Sequence, residues 1–274
     1  MKMSSELTVF EVPHKSVTVY IGGVEPLFDW ADHASHVSNV VIAPVELHRR
    51  NLKLRLTDAG LPLDAFAFTG PAAIASQVLE TAGESSAALD RVDRLALLGD
   101  LLRGESEATE RFRMVLGGEP SQSGNAIEQA RRELEVTTNY HPVRMRAFRQ
   151  VVESAPSPID VDAGDLLDGT LAVERALRRH SEKSPSDGAL IRRATRTVLD
   201  TDGSAWTEAY PSVERIALVG LSTVPATLVD LFSAITSQCA VQAHLFLRRG
   251  TGSLVERRLA EAWSVPNPGR VVVT

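Results

Sequence analysis

The chain has 274 residues, 43% of them hydrophobic and 23% charged, enough for one large core or two modest ones and ordinary for a soluble globular protein. Its formal net charge of −6 excludes a uniformly basic nucleic-acid coat but not a local basic groove, because binding follows charge placement. A single cysteine, Cys239, excludes an internal disulfide and a thiolate zinc cluster and fits a reducing cytoplasm. No window is apolar enough for a membrane span or a secretory segment.

In chain order, residues 17–21 (VTVYI) read as a strand, followed by the turn Gly22-Gly23. Residues 26–36 read as a helix carrying Leu27, Trp30, Ala31 and Ala34. Residues 39–43 (NVVIA) have a buried-strand pattern broken by Pro44. Residues 45–58 form a helix with an apolar stripe of Leu47, Leu52, Leu54 and Leu56, with Arg49, Arg50 and Lys53 away from it and Gly60 as its stop. Residues 65–68 (AFAF) read as a third strand and 71–80 as a further helix. The alternation β-α-β-α-β-α is that of a parallel sheet covered by helices.

The pattern changes at residues 83–86. From Leu89 to about Leu199 only helical spacing is found, interrupted by the breaker Ala155-Pro156-Ser157-Pro158 and a loop at 181–188. The α/β signal returns with the buried strand at 216–219, the turn at Gly220, a helix entered at Pro225 and the β-rich run 240–247. That is a βαβ unit, whose parallel strands need a crossover. Residues 270–274 (RVVVT) read as one more strand, which is compatible with the chain being the front part of a longer protein. The expected organisation is an α/β domain at 1–84, a helical insertion at 85–205, and completion of the α/β domain at 206–274.

Ligands of open α/β sheets bind at the carboxyl ends of the strands. A phosphate-binding loop there needs a lysine and a hydroxyl after its glycines. The first turn reads Gly22-Gly23-Val24-Glu25-Pro26-Leu27, with no lysine and with a carboxylate that repels phosphate. The turn after the central strand, where a triphosphatase carries acidic residues for Mg²⁺, reads Gly220-Leu221-Ser222-Thr223. Both turns therefore predict no intrinsic ATPase activity. Ser222 and Thr223 are expected to cap the following helix. Asp29, Asp32, His33 and His36 have metal-like spacing, but an exposed polar helix side explains them better, and no metal site is assigned. His141 and His180 are expected in solvated or capping roles. Basic residues gather at 48–55, 144–149, 175–196 and 248–258, each explicable as a solvated face and together able to border a groove for a phosphate backbone. Phe148 and Trp206, the aromatic residues free to stack on bases, are better explained as core.

Several segments resemble a known family. Residues 39–56 (NVVIAPVELHRRNLKLRL) resemble the strand-Pro-helix of motif Ia in superfamily 1 helicases of the UvrD/Rep type. Residues 65–79 (AFAFTGPAAIASQVL) resemble the segment after it, and 89–102 (LDRVDRLALLGDLL) the start of that family's helical insertion. Residues 214–232 (ERIALVGLSTVPATLVDLF) resemble the segment that replaces the acidic motif in AddB-type subunits of helicase–nucleases. The resemblance implies a RecA-like sheet interrupted by a helical subdomain. It implies an inactivated helicase-like module of DNA repair or recombination, without a cofactor. Such a module holds single-stranded DNA or braces an active helicase or nuclease subunit, with no membrane contact. The family's strand contacts map near Pro44, Val45 and His48 and near Thr69 and Gly70; Arg49, Arg50 and Lys53 would border the same groove. Two other readings stay open. One is a Rossmann-like small-molecule or nucleotide-binding enzyme using the Gly22-Gly23 and Gly220 turns, and the other a scaffold that docks through the helical part.

Overall fold

A computed structural model describes residues 8–11, 17–31, 37–104, 109–112, 123–154, 162–248, 250 and 261–272. Elements follow in chain order as β1 (Thr8–Glu11), β2 (Val17–Ile21), α1 (Pro26–Ala31), β3 (Asn39–Ile42), α2 (Glu46–Asp58), β4 (Phe66–Thr69) and α3 (Pro71–Thr81). Five longer helices come next: α4 (Arg91–Arg103), α5 (Gly124–Thr138), α6 (Pro142–Ser154), α7 (Ala163–His180) and α8 (Asp187–Asp200). Then come α9 (Ser204–Ala209), β5 (Arg215–Leu221), α10 (Ala226–Gln238) and β6 (Gln242–Leu247). The chain divides into two compact units, one of residues 1–84, 194–224 and 228–268, the other of 85–193, 225–227 and 269–274.

The first unit is an α/β, RecA-like fold on a six-stranded sheet ordered β1-β2-β6-β5-β3-β4. The strands from β2 to β4 in that order are parallel, and β1 adds antiparallel to β2 at the edge. Side chains alternate between faces along a strand. One face presents Val41, Phe66, Ala217, Val219 and Phe246, packed with Leu27 and Ala31 of α1 and Leu52 and Leu56 of α2. The other presents Val40, Ile42, Ile216, Leu218, Ala243 and Leu245, all buried. Burial on both faces is why β3, β5 and β6 read as near-continuous apolar runs.

Crossover handedness explains which helices go where. The steps β2→β3 and β3→β4 run one way along the sheet, while β4→β5 and β5→β6 run the other. Right-handed connections therefore put α1 and α2 on one face and send α3 and α10 to the opposite one. Ile74, Ala75, Val78 and Leu79 of α3 and Leu228, Leu231, Phe232 and Ile235 of α10 are all buried.

Two sequence expectations are corrected, and one strand was not foreseen. Leu47 and Leu54 do not join the core stripe; they are exposed, and Leu52 and Leu56 alone anchor α2. The strand β1 was not expected, because four residues at an edge carry too little periodicity. Residues 270–272 are not a strand; Val272 N–H donates to Tyr140 O at 3.0 Å, and Val271 packs on the cluster around Tyr140. Residues 273–274 lie outside the described residues.

On the α1 face of the sheet, His244 is buried among Tyr20, Trp30 and Phe246. Tyr20 Oη lies 3.4 Å from its Nδ1. Burial, aided by the Arg215 charge, pushes its pKa down to about 4. The native state thus holds His244 neutral while the unfolded chain takes up a proton below about pH 6.5. Its contribution is complete above that pH and falls as pH drops towards 4, by about 3 kcal/mol over the full window.

Among the described residues, the regular structure of the second unit is helical apart from an isolated bridge between Ala88 and Ser184. Apolar clusters hold it, one around Leu98, Leu102, Phe112, Ile127 and Leu177, another around Leu134, Tyr140, Met145 and Leu167. A buried ionic cluster joins α4, α5, α7 and α8. Arg131, 1% exposed, donates to Glu128 at 2.8 Å and to Glu174 at 2.9 Å. Glu174 also accepts from Arg178 at 2.8 Å, and Arg192 reaches Glu135 at 3.2 Å and Asn139 at 2.6 Å. Arg94 completes the set on Glu128 at 2.7 Å. Burial works to raise the Glu174 carboxyl, yet Arg131, Arg178 and Arg192 outweigh it and hold the group below the usual carboxylate range.

Two outcomes follow. Arg131→Met removes a shared cationic partner from Glu128, Glu135 and Glu174 and should cost about 3–5 kcal/mol by chemical denaturation; a cost below about 1 kcal/mol would contradict the network described. His244→Phe should flatten the stability-versus-pH curve between pH 6.5 and 4 relative to the native chain; parallel curves would contradict the burial argument.

Candidate functional site

Strand order locates the crevice. β3 and β5 are neighbours, but their outgoing connections run to opposite faces of the sheet. The loops diverge there, and the space outside their carboxyl ends is the switch point at which open α/β sheets take ligands.

Each side of that crevice has a local cause. After β3, Ala43 N–H still donates to Thr69 O at 3.1 Å. Pro44 then ends the ladder because it has no N–H to give. Val45, extended at φ −107°, is the N-cap of α2, which puts His48 in the first turn. Near the end of β5, Gly220 adopts φ +83° at a register shift between Val219 and Leu221. This is a bulge whose left-handed residue is glycine for steric reasons. Arg248, leaving β6, donates its backbone N–H to Leu221 O at 3.2 Å.

His48 occupies the centre. Its ring lies against the bare Cα of Gly220, where an added Cβ would stand 2.5 Å from Nδ1. Its Nε2 is 2.7 Å from Nη2 of Arg248. A guanidinium only donates, so Nε2 accepts and the ring proton is assigned to Nδ1. Nδ1 is buried and has no partner among the described residues.

The neighbouring strand end brings Thr69 and Gly70. Gly70 is the N-cap of α3, with Pro71 opening the helix and no side-chain cap. Arg49 pairs with Glu46, and its Nη1 lies 3.4 Å from where a Gly70 Cβ would be. Pro44, Val45, His48, Arg49, Thr69, Gly70 and Gly220 therefore sit along the adjacent ends of β4, β3 and β5. Arg50 is exposed on α2, and Lys53 Nζ stands 5.1 Å over the Phe68 ring. Ser222 and Thr223 are exposed, and among the described residues no hydrogen bond of either caps α10, contrary to expectation. The Gly22-Gly23 turn ends β2, which β6 separates from β5. Gly22 N–H donates to Leu247 O at 3.1 Å. The Glu25 carboxylate folds back over Gly23 and meets Arg55 at 3.4 Å.

Other expectations resolve simply. Trp206 is core, and Phe148 packs on the Tyr140 cluster. His141 accepts from Val143 N–H at 3.3 Å, a capping bond, and His180 Nδ1 meets Ala176 O at 2.8 Å. The basic run 175–196 is not a solvated face throughout, because Arg178 and Arg192 serve the internal ionic cluster. Arg149 is paired with Asp168. Of the metal-like set, Asp29 is exposed on α1 and Asp32, His33 and His36 lie outside the described residues; among those described no group fits a metal. The pairing that sequence reading missed is Arg248 with His48. Both fell in basic runs, but 200 positions separate them.

Gly220→Ala forces an L-residue into the left-handed region and a methyl onto the His48 ring, and should cost about 2–3 kcal/mol. In a His48→Ala background only the backbone part remains, about 1 kcal/mol. Equal costs in both backgrounds, read by chemical denaturation, would contradict the packing.

A family model described as Halobacterial UvrD-like protein matches residues 3–274. No curated protein matches the chain. With a parallel RecA-like sheet and a match over nearly its whole length, the chain belongs to the halobacterial UvrD-like family.

Proposed function

We propose that this helicase-like module hydrolyses no ATP of its own and holds a single DNA strand along the carboxyl ends of β4, β3 and β5. It would act in repair or recombination, alone or bracing an active helicase or nuclease subunit. The observation that carries this reading is the convergence at the switch point. Arg248 and Arg49 bring guanidinium donors to one edge, with the buried His48 N–H against Gly220 near the end of β5.

The backbone adds to those donors. α2 and α3 begin from the adjacent ends of β3 and β4, on opposite faces of the sheet, and neither has a side-chain cap. Their first-turn amides and positive dipole ends favour an anion running past both. Pro44, Val45 and Gly70 carry no charge, so they contribute shape, leaving the strand backbone room to approach. Most phosphate contacts position rather than specify, so sequence-independent binding is the expectation. On the chemical side, the Gly22-Gly23 turn has no lysine and is overlain by the Glu25 carboxylate. The turn after β5 offers Ser222 and Thr223 but no acidic residue for Mg²⁺.

Fluorescence anisotropy with a labelled oligothymidylate tests the reading. Binding should weaken steeply with salt. Replacing Arg49, Arg50 and Lys53 together by Glu should weaken it at least tenfold at low salt and reduce the log–log salt slope by about 2, at about 0.7 per contact to a single strand. Unchanged binding in the triple variant would overturn the groove. DNA-stimulated Mg·ATP hydrolysis by the purified chain would overturn the non-catalytic part.

A further inference from the structure

Leu47 and Leu54, on the outer side of α2, have no role in the core or in the proposed strand groove, which borders the same side at Val45, Arg50 and Lys53. Leu52 and Leu56 turn to the sheet, and His48 and Arg49 turn partly inward. The opposite side carries Leu47 and Leu54, which are 60% and 52% exposed, with Val45 at the N-cap 48% exposed. Leu47 and Leu54 are seven residues apart, which places them on one stripe two turns along the helix. Arg50 lies between them and Lys53 beside them, both exposed. Of the carboxylates on α2, Glu46 is engaged by Arg49. The helix carries Arg49, Arg50, Lys53 and Arg55 against Glu46 and Asp58, so it is a basic element in a chain of net charge −6.

We infer that this face docks an acidic amphipathic helix of a partner protein. Such a helix would lay leucine-sized side chains on Val45, Leu47 and Leu54 and direct Asp or Glu towards Arg50 and Lys53. Heptad-spaced apolar contacts with flanking opposite charges are the chemistry by which helices pair. A nucleic acid fits less well, because aliphatic Leu47 and Leu54 offer no aromatic face for a base to stack on. A second copy fits less well too. Antiparallel pairing of two α2 helices about this stripe sets Arg50 against Arg50 of its twin, two like charges in contact. The inference rests on the exposure and charge of α2 and does not depend on DNA binding.

The test uses two labelled, end-capped peptides of about three heptads, the length at which helical pairing becomes measurable. Both carry one leucine stripe; one is flanked by Glu, the other by Lys, and each is kept at nanomolar concentration. The Glu peptide should bind the full chain in anisotropy and the Lys peptide should not. Leu47→Ser with Leu54→Ser should weaken the Glu peptide at least fivefold while leaving oligothymidylate binding unchanged. Arg50→Glu should weaken the Glu peptide as well without touching the apolar stripe. Both leucines are exposed, so the double variant should keep the native denaturation midpoint. Equal binding of the two peptides, or no effect of the double serine variant, would overturn the inference. So would loss of oligothymidylate binding in that variant, which would assign the face to nucleic acid. A concentration-dependent dimer abolished by it would assign the face to self-association and overturn the inference equally.

Discussion

The handedness of β–α–β crossovers is the constraint on which the α/β unit depends. Given the order β2-β6-β5-β3-β4, it assigns α1 and α2 to one face and α3 and α10 to the other. The same rule makes the connections from β3 and β5 part company, and so opens a crevice between two adjacent strands. Into that opening the chain puts a histidine ring against a glycine with no side chain. His48 sits there because α2 starts three residues earlier at the N-cap Val45, and α2 starts there because Pro44 ends β3. Local sequence, sheet order and site geometry are thus one argument rather than three.

The helical unit is held differently. Its apolar clusters are modest, and four arginines and three glutamates are drawn together among the helices that surround Glu174, a carboxylate with no exposure at all. Such a cluster is costly to desolvate, so it stabilises little in sum and penalises heavily the loss of any single partner. Its value is specificity of packing: Arg131 meets carboxylates on α5 and α7 at once, and Arg192 reaches back from α8 to Glu135 and Asn139. Helices joined through directional bonds have fewer ways to slide past one another than helices joined through leucines alone.

Much of this was legible beforehand, and the exceptions have physical reasons. The runs at 39–42 and 216–219 announce buried parallel strands because both faces are covered. The helix at 46–58 was visible, but its inward face was not. Four leucines close in sequence span more of the helix circumference than one neighbour can cover, and only the sheet decides that Leu52 and Leu56 are inside. Strand order was not legible either, because parallel pairing is non-local. Nothing in residues 242–247 declares that they lie between β2 and β5. For the same reason the meeting of Arg248 with His48 was hidden, although each basic run was noted, and Arg192 read as a surface charge until α5 was brought against it. The two nucleotide turns were the reverse case, since the absence of a lysine or a carboxylate is a fact of composition that no folding alters.

In the proposed function this RecA-like sheet uses its strand-end crevice for a nucleic-acid strand and not for a triphosphate. Amide hydrogen exchange of the intact chain reads this directly, first with oligothymidylate and then with Mg·ATP. The account predicts slowed exchange at residues 45–49, 70–73 and 220–223 with the oligonucleotide, and no change at 22–25 with either ligand. Slowed exchange at 22–25 on adding Mg·ATP, with the other segments unaffected by DNA, would contradict it.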